Sequence, residues 1–187
     1  LDPRLRGDDE LDMTNAKPPP RILSIAGSDS GGGAGIQADI KTIAMLGGYA
    51  MTAITAITAQ NSRGVQGVTP LTGDFVMEQV DSCLTDFGAD AIKIGMLHDA
   101  GIIGAVAEGL ATLPEAQGVP IVLDPVMVAT SGARLLQEDA VETMRDALFP
   151  LAHLIAPILP ELQILAGRTL PDTGEITEAA IALASAH

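Results

Sequence analysis

The loop Gly27-Ser28-Asp29-Ser30-Gly31-Gly32-Gly33-Ala34-Gly35 is the stretch of this sequence best suited to hold a small ligand. Glycines let the backbone approach a bound group closely, and a helix starting there points N–H groups at it, although a plain tight turn fits the same residues. The loop lacks the Gly-Lys-Ser/Thr ending of a phosphate loop and the spacing of a dinucleotide turn. Further along stand Asp39, Gln60, Met96, Asp124 and Val126. Taken alone, Asp39 reads as a solvated helix position, Gln60 as a turn residue, and Met96 and Val126 as core. Asp124 reads either as a cap of its local turn or as a carboxylate orienting magnesium-bound water near phosphates. His98, His153 and Cys83 have no metal-ligand spacing, and Ser131-Gly132 has no His or Asp partner for a nucleophilic serine. Lys93 lies inside a strand and reads as the partner of a carboxylate.

These residues need a frame that brings them together, and from Arg21 onward short apolar runs alternate with longer helical periodicities punctuated by Gly, Asp or Pro. The pattern predicts strands over Ile22–Ala26, Tyr49–Thr58, Ala91–Ile94, Val119–Leu123 and His153–Ala156. Between them it predicts helices over Ala34–Leu46, Thr72–Phe87, Asp99–Thr112 and Glu138–Leu148, with short helices after Pro160 and Thr173. Repeated right-handed crossovers imply an open, mostly parallel α/β sheet covered by helices on both faces, with ligand groups just after the strands. Gly27–Gly33, Gln60–Gly64, Gly95–Asp99 and Asp124–Gly132 occupy those places.

Composition narrows the function classes. The 187 residues carry a net charge of -14, are 47% hydrophobic and only 2% aromatic. That excludes disorder over most of the chain, and argues against a nucleic-acid partner, which needs Lys and Arg to neutralise phosphates. No apolar run has the length of a membrane span, no signal peptide is evident, and a single Cys83 allows no internal disulfide, so the reading is cytoplasmic. Residues 1–20 form an acidic, Pro-rich tail that cannot bury a core, with Met13 a candidate native start, and residues 21–187 form one domain.

The string AGSDSGGGAGIQADIKT, followed in order by TAITAQNSRGVQGV, DAIKIGML and VLDPVMVATSGARLL, resembles the hydroxymethylpyrimidine/phosphomethylpyrimidine kinases of thiamin biosynthesis, a ribokinase-like family. The resemblance covers about residues 21 to 170 and implies MgATP-dependent phosphorylation of 4-amino-5-hydroxymethyl-2-methylpyrimidine and then of its monophosphate. It places the aminopyrimidine against Gly27, with a carboxylate at Asp39, an amide at Gln60 and apolar walls at Met96 and Val126. Asp124 and Glu161 would organise ATP and Mg2+, although Ile158 stands where the family usually has Asn. The family's Gly-Thr-Gly-Cys anion hole would lie beyond His187, so no catalytic residue is assigned here, the domain is expected to be incomplete at its C-terminus, and these 187 residues are expected to bind without turnover. A homodimer is compatible with the resemblance. A pyridoxal-type kinase and a non-catalytic pyrimidine-binding pseudoenzyme are the alternatives.

Overall fold

The computed structural model describes residues 17–127, 136 and 138–186. The expectations for residues 1–16, Met13 included, and for the loop Ala129–Arg134 with Ser131-Gly132 lie outside the described residues. Five strands form a parallel sheet: β1 (Arg21–Ala26), β2 (Tyr49–Ile54), β5 (Ala91–Ile94), β6 (Ile121–Leu123) and β7 (Leu154–Ile155), in the order β2-β1-β5-β6-β7. A two-stranded antiparallel ribbon, β3 (Ala56–Asn61) with β4 (Gly64–Pro70), stands apart from that sheet. The helices are α1 (Gly35–Met45), α2 (Gly73–Asp86), α3 (Ala100–Thr112), α4 (Glu138–Thr143), α5 (Leu159–Ala166) and α6 (Thr173–Ser185).

Strand placement reverses direction between β1 and β5. Right-handed crossovers therefore put α1 on one face of the sheet and α2, α3 and α4 on the other. On the second face Leu23, Ile25, Ile92, Ile94 and Leu123 pack against Val76, Val80, Ile102, Ile103, Val106 and Met144 in one core. Each such burial stabilises the fold by about 1.5–3 kcal/mol. Thr72 caps α2 by accepting the Phe75 N–H, Asp99 caps α3 by accepting the Ile102 N–H, and Gly47, with φ +81, follows the end of α1. Cys83 is partly buried in the α2 layer, where burial pushes its thiol pKa up, as suits a packing residue. Among the described residues no helix is long and apolar enough to cross a membrane.

Three expectations need correction. Tyr49–Thr58 is two strands broken at Thr55, where the chain leaves the main sheet. There the Thr55 N–H donates to Ala26 O, its hydroxyl donates to Met96 O, and its carbonyl accepts from Leu71 N. These bonds pin the bend to three segments, and Gln60 consequently lies in β3, opposite Val65, rather than in a turn. Phe87, half exposed after the end of α2, lies against Tyr49 with ring centroids 5.7 Å apart. Beyond Thr143 the Glu138–Leu148 helix widens into a π turn (Met144–Leu148), followed by a 3-10 turn containing Pro150, whose missing N–H cannot continue an α ladder. The segment after Thr173 is a full 13-residue helix, capped by Asp172.

Candidate active site

In a parallel sheet whose strand order reverses, the crevice at the reversal lies beyond the carboxyl ends of the two diverging strands. Here that point is between β1 and β5. Gly27 follows β1, Met96 follows β5, and Asp124 and Val126 follow β6, while α1 supplies Asp39 and β3 supplies Gln60. All six line one cavity of about 270 Å³. A larger cavity of about 450 Å³ lies between α5 and α6, among Leu162, Leu165, Ala179 and Leu183. It is remote from the strand ends where polar groups converge, so the smaller one is the functional candidate.

The glycine-rich loop differs from its sequence reading. Asp29, only 5% exposed, turns its carboxylate back on its own loop. It accepts from Gly31 N (2.8 Å), Gly33 N (2.9 Å) and Ala34 N (2.8 Å). These N–H groups, expected to face a ligand, are satisfied internally, so the loop is a rigid wall rather than an open anion cradle. Gln37 Oε1 accepts the Asp29 N–H and Lys41 donates to Gly32 O, fixing the loop to α1. Glycine is required at position 35, where φ is +56 and a Cβ would collide with the Gly27 carbonyl oxygen. The ribbon is anchored to the same loop: Thr58 donates its N–H to Ser28 Oγ and its hydroxyl to Ser28 O, and Ser30 Oγ accepts from and donates to the Gln60 backbone. Thus held by its backbone, Gln60 reaches the cavity with a side-chain amide that makes no hydrogen bond among the described residues.

Electrostatics in the cavity centre on a residue that sequence reasoning placed only as a carboxylate's partner. Lys93 lines the cavity, its Nζ 3.2 Å from Asp39 Oδ2 and 3.6 Å from Asp124 Oδ2. Burial raises the Asp124 pKa, and Lys93 opposes that shift. Sequence reading gave Asp29 no role of its own, and gave Lys93 the carboxylate pairing that the structure shows without placing it at the cavity. The signals for them were weak: a carboxylate inside a glycine run, and a lysine two residues before a glycine at a strand end.

Glu161 is not among the residues lining the cavity. It is 2% exposed, with Oε1 accepting from Met127 N (3.1 Å) and Oε2 from Ile158 N (2.9 Å). Burial raises its pKa, and the two backbone N–H groups hold that shift back. Its direct work is therefore to tie the chain after β6 to the start of α5. Ile158 is the N-cap residue of that helix and is 53% exposed. An isoleucine has no oxygen to return to the Glu161 N–H, so only half of a capping box forms. Among the described residues no cluster of three or more His, Cys, Asp or Glu could hold a metal ion. Asp124 is the carboxylate at the cavity to which a magnesium carried in on phosphates could be joined, directly or through water.

The parallel sheet, its helical layers and the cleft at the reversal define a ribokinase-like α/β protein. The family described as phosphomethylpyrimidine kinase matches residues 29–187, and the chain belongs to that family. It is 46% identical over 171 residues to the hydroxymethylpyrimidine/phosphomethylpyrimidine kinase of Mycobacterium leprae, covering 89% of this chain and 61% of the relative. The crystal structure of a phosphomethylpyrimidine kinase from Clostridium difficile superposes with a TM-score of 0.81 at 38% identity, covering 89% of this chain and 71% of that one. The pyridoxal kinase of Staphylococcus aureus in complex with pyridoxal superposes with a TM-score of 0.77 at 36% identity, covering 89% and 60%. The chain spans about three-fifths or less of the length of the curated relatives it matches.

Proposed function

We propose that this cavity binds 4-amino-5-hydroxymethyl-2-methylpyrimidine as the acceptor alcohol of a MgATP-dependent phosphoryl transfer, and its monophosphate as the acceptor of a second. The observation that carries the reading is the convergence of Gly27, Asp39, Gln60, Met96 and Val126, from five separate segments, on one small cavity. At about 270 Å³ it sits near the lower end of ligand pockets, roughly 300–1,000 Å³, which suits a single-ring heterocycle rather than a whole nucleotide. The ring would lie between Met96 and Val126, with its edge on Gln60, whose amide both donates and accepts. Asp39 would accept from the hydroxymethyl or amino group. Three carboxylates, Asp29, Asp39 and Asp124, against the one ammonium of Lys93 leave the cavity lining with an excess of negative charge, which favours a neutral or protonated aminopyrimidine. The phosphate of the monophosphate would therefore point outward, toward the incoming MgATP.

ATP would supply the phosphoryl group, and its magnesium would offset the charge that develops on the phosphates. Asp124 lies where it could orient water on that metal, and Glu161 would act through the backbone it holds. In this reading residues 21–187 supply the acceptor-binding part of a kinase domain that acts on a small cytoplasmic metabolite. A second reading, pyridoxal as the acceptor, is carried by the likeness to pyridoxal kinases, since pyridoxal is also a one-ring hydroxymethyl heterocycle. Calorimetric titration with hydroxymethylpyrimidine, its monophosphate and pyridoxal tests the recognition directly. The pyrimidines are expected to bind more tightly; tighter binding of pyridoxal favours the second reading, and no binding of any of the three rejects the cavity as the acceptor site.

A further inference from the structure

Lys93 lies within β5 and faces the α1 side of the sheet, level with Ser24 of the neighbouring strand. From there its ammonium must travel past position 95 to reach the cavity. A Cβ at that position would fall 2.8 Å from Lys93 Nζ and 3.0 Å from Ala26 Cβ, so Gly95 is the gap that lets the side chain through. At its end Nζ meets Asp39 Oδ2, and the Ser24 hydroxyl, wholly buried, donates to the same oxygen at 2.6 Å. One oxygen of Asp39 thus has two donors. The other, Oδ1, has no hydrogen-bond partner among the described residues, and Asp39 lines the cavity. Lys93 also reaches toward Asp124, just after the neighbouring strand β6.

We infer that Lys93 and Ser24 are positioning residues that clamp Asp39 Oδ2 so that Oδ1 is presented to a donor group of the bound heterocycle. A carboxylate on a helix beside a cleft has two soft torsions and, unclamped, would spend its acceptor capacity on water or on the loop. With Oδ2 occupied, the torsions are fixed before the ligand arrives, and one acceptor is left for its O–H or N–H. The ammonium is matched in turn: a half-buried lysine is tolerated only when paired, and Asp39 and Asp124 provide the pairing. The clamp makes the cavity selective for ligands that carry a donor at that edge. This inference rests on the acceptor-site reading above.

The test combines two readouts on the full chain. Crystal structures of Lys93→Met and Ser24→Ala report the Asp39 carboxylate itself, which is expected to leave its present orientation in the first variant and to loosen in the second. Calorimetry compares hydroxymethylpyrimidine with two analogues, one carrying methyl in place of hydroxymethyl and one carrying hydrogen in place of the amino group. Lys93→Met is expected to weaken the parent ligand by roughly tenfold to a hundredfold, and Ser24→Ala by roughly threefold to tenfold, typical of lost bonds to a charged group. For the analogue lacking the donor that Oδ1 receives, both losses should nearly vanish. Equal losses for the parent and both analogues would show a merely structural role and overturn the clamp, as would an Asp39 that keeps its orientation in Lys93→Met. If the unmodified chain binds no pyrimidine, the acceptor-site reading falls by itself, and the orientation of Asp39 in the two variants still decides the clamp.

Discussion

Replacing Asp29 with alanine removes the common acceptor of the Gly31, Gly33 and Ala34 N–H groups. A hydrogen bond to a charged group contributes about 1.5–3 kcal/mol net, so three of them set a ceiling of several kcal/mol. The loss should fall below that ceiling, because Gly31, Gly33 and Ala34 are exposed and water can reach their freed donors. An expected cost of about 2–4 kcal/mol follows, with Asp29→Asn, which keeps one acceptor oxygen, near about 1–2 kcal/mol. Urea unfolding followed by circular dichroism measures the stability, and calorimetry measures pyrimidine affinity, which should fall with it because the same loop forms the Gly27 wall. An Asp29→Ala protein within about 0.5 kcal/mol of the parent, the range of ordinary surface changes, would refute the account of the loop as self-liganded.

Gln60→Ala should weaken pyrimidine binding by about 1–3 kcal/mol in calorimetry and leave the urea midpoint unchanged, since its side chain supports no structural bond. Ile158→Asn should raise stability by about 0.5–2 kcal/mol in the same urea assay, by supplying the acceptor that completes the capping box with Glu161. Gly35→Ala should destabilise by more than about 1 kcal/mol, because the left-handed backbone and the clash with Gly27 O add to each other. Asp90 pairs with Arg21, whose guanidinium and backbone N–H hold the carboxyl at about 2. Its folded pKa is depressed below the unfolded value of about 3.9, so its stabilisation is present above that value and lost as pH falls toward about 2. The stability difference between the parent and Asp90→Asn, measured by urea unfolding at several pH values, should be constant near neutrality and shrink across that acid window.

Much of the frame was legible because its signals are local. Apolar runs in β1 and β5, Thr72 at the start of α2, and the glycines after α1 all mark boundaries within a few residues of themselves. The β3-β4 ribbon was not legible, because Tyr49–Thr58 alternates β-branched and small residues without interruption. Its break at Thr55 depends on bonds to Ala26, Met96 and Leu71 that no local window contains. The strand β4 is exposed or half-exposed along its whole length, so it carries no apolar stripe to betray it. The same division holds in the site. Gly27, Asp39, Gln60, Met96, Asp124 and Val126 were named from their resemblance to a family, and the fold gathers them. The roles of Asp29 and Lys93 follow from where a loop folds back and where a strand lets a long side chain pass. Glu161 was named with the nucleotide, yet both its oxygens hold backbone N–H groups, which depends on how the start of α5 meets the end of β6.

The central claim is that the cavity at the β1–β5 reversal receives the hydroxymethylpyrimidine ring, and the most direct measurement is a crystal structure of the chain with that ligand bound. The expected result is a ring between Met96 and Val126 beside Gly27, with its polar edge on the Gln60 amide and a donor within hydrogen-bond distance of Asp39 Oδ1. A ligand seated instead between α5 and α6, or in the cavity without contact to Asp39 and Gln60, would contradict the account.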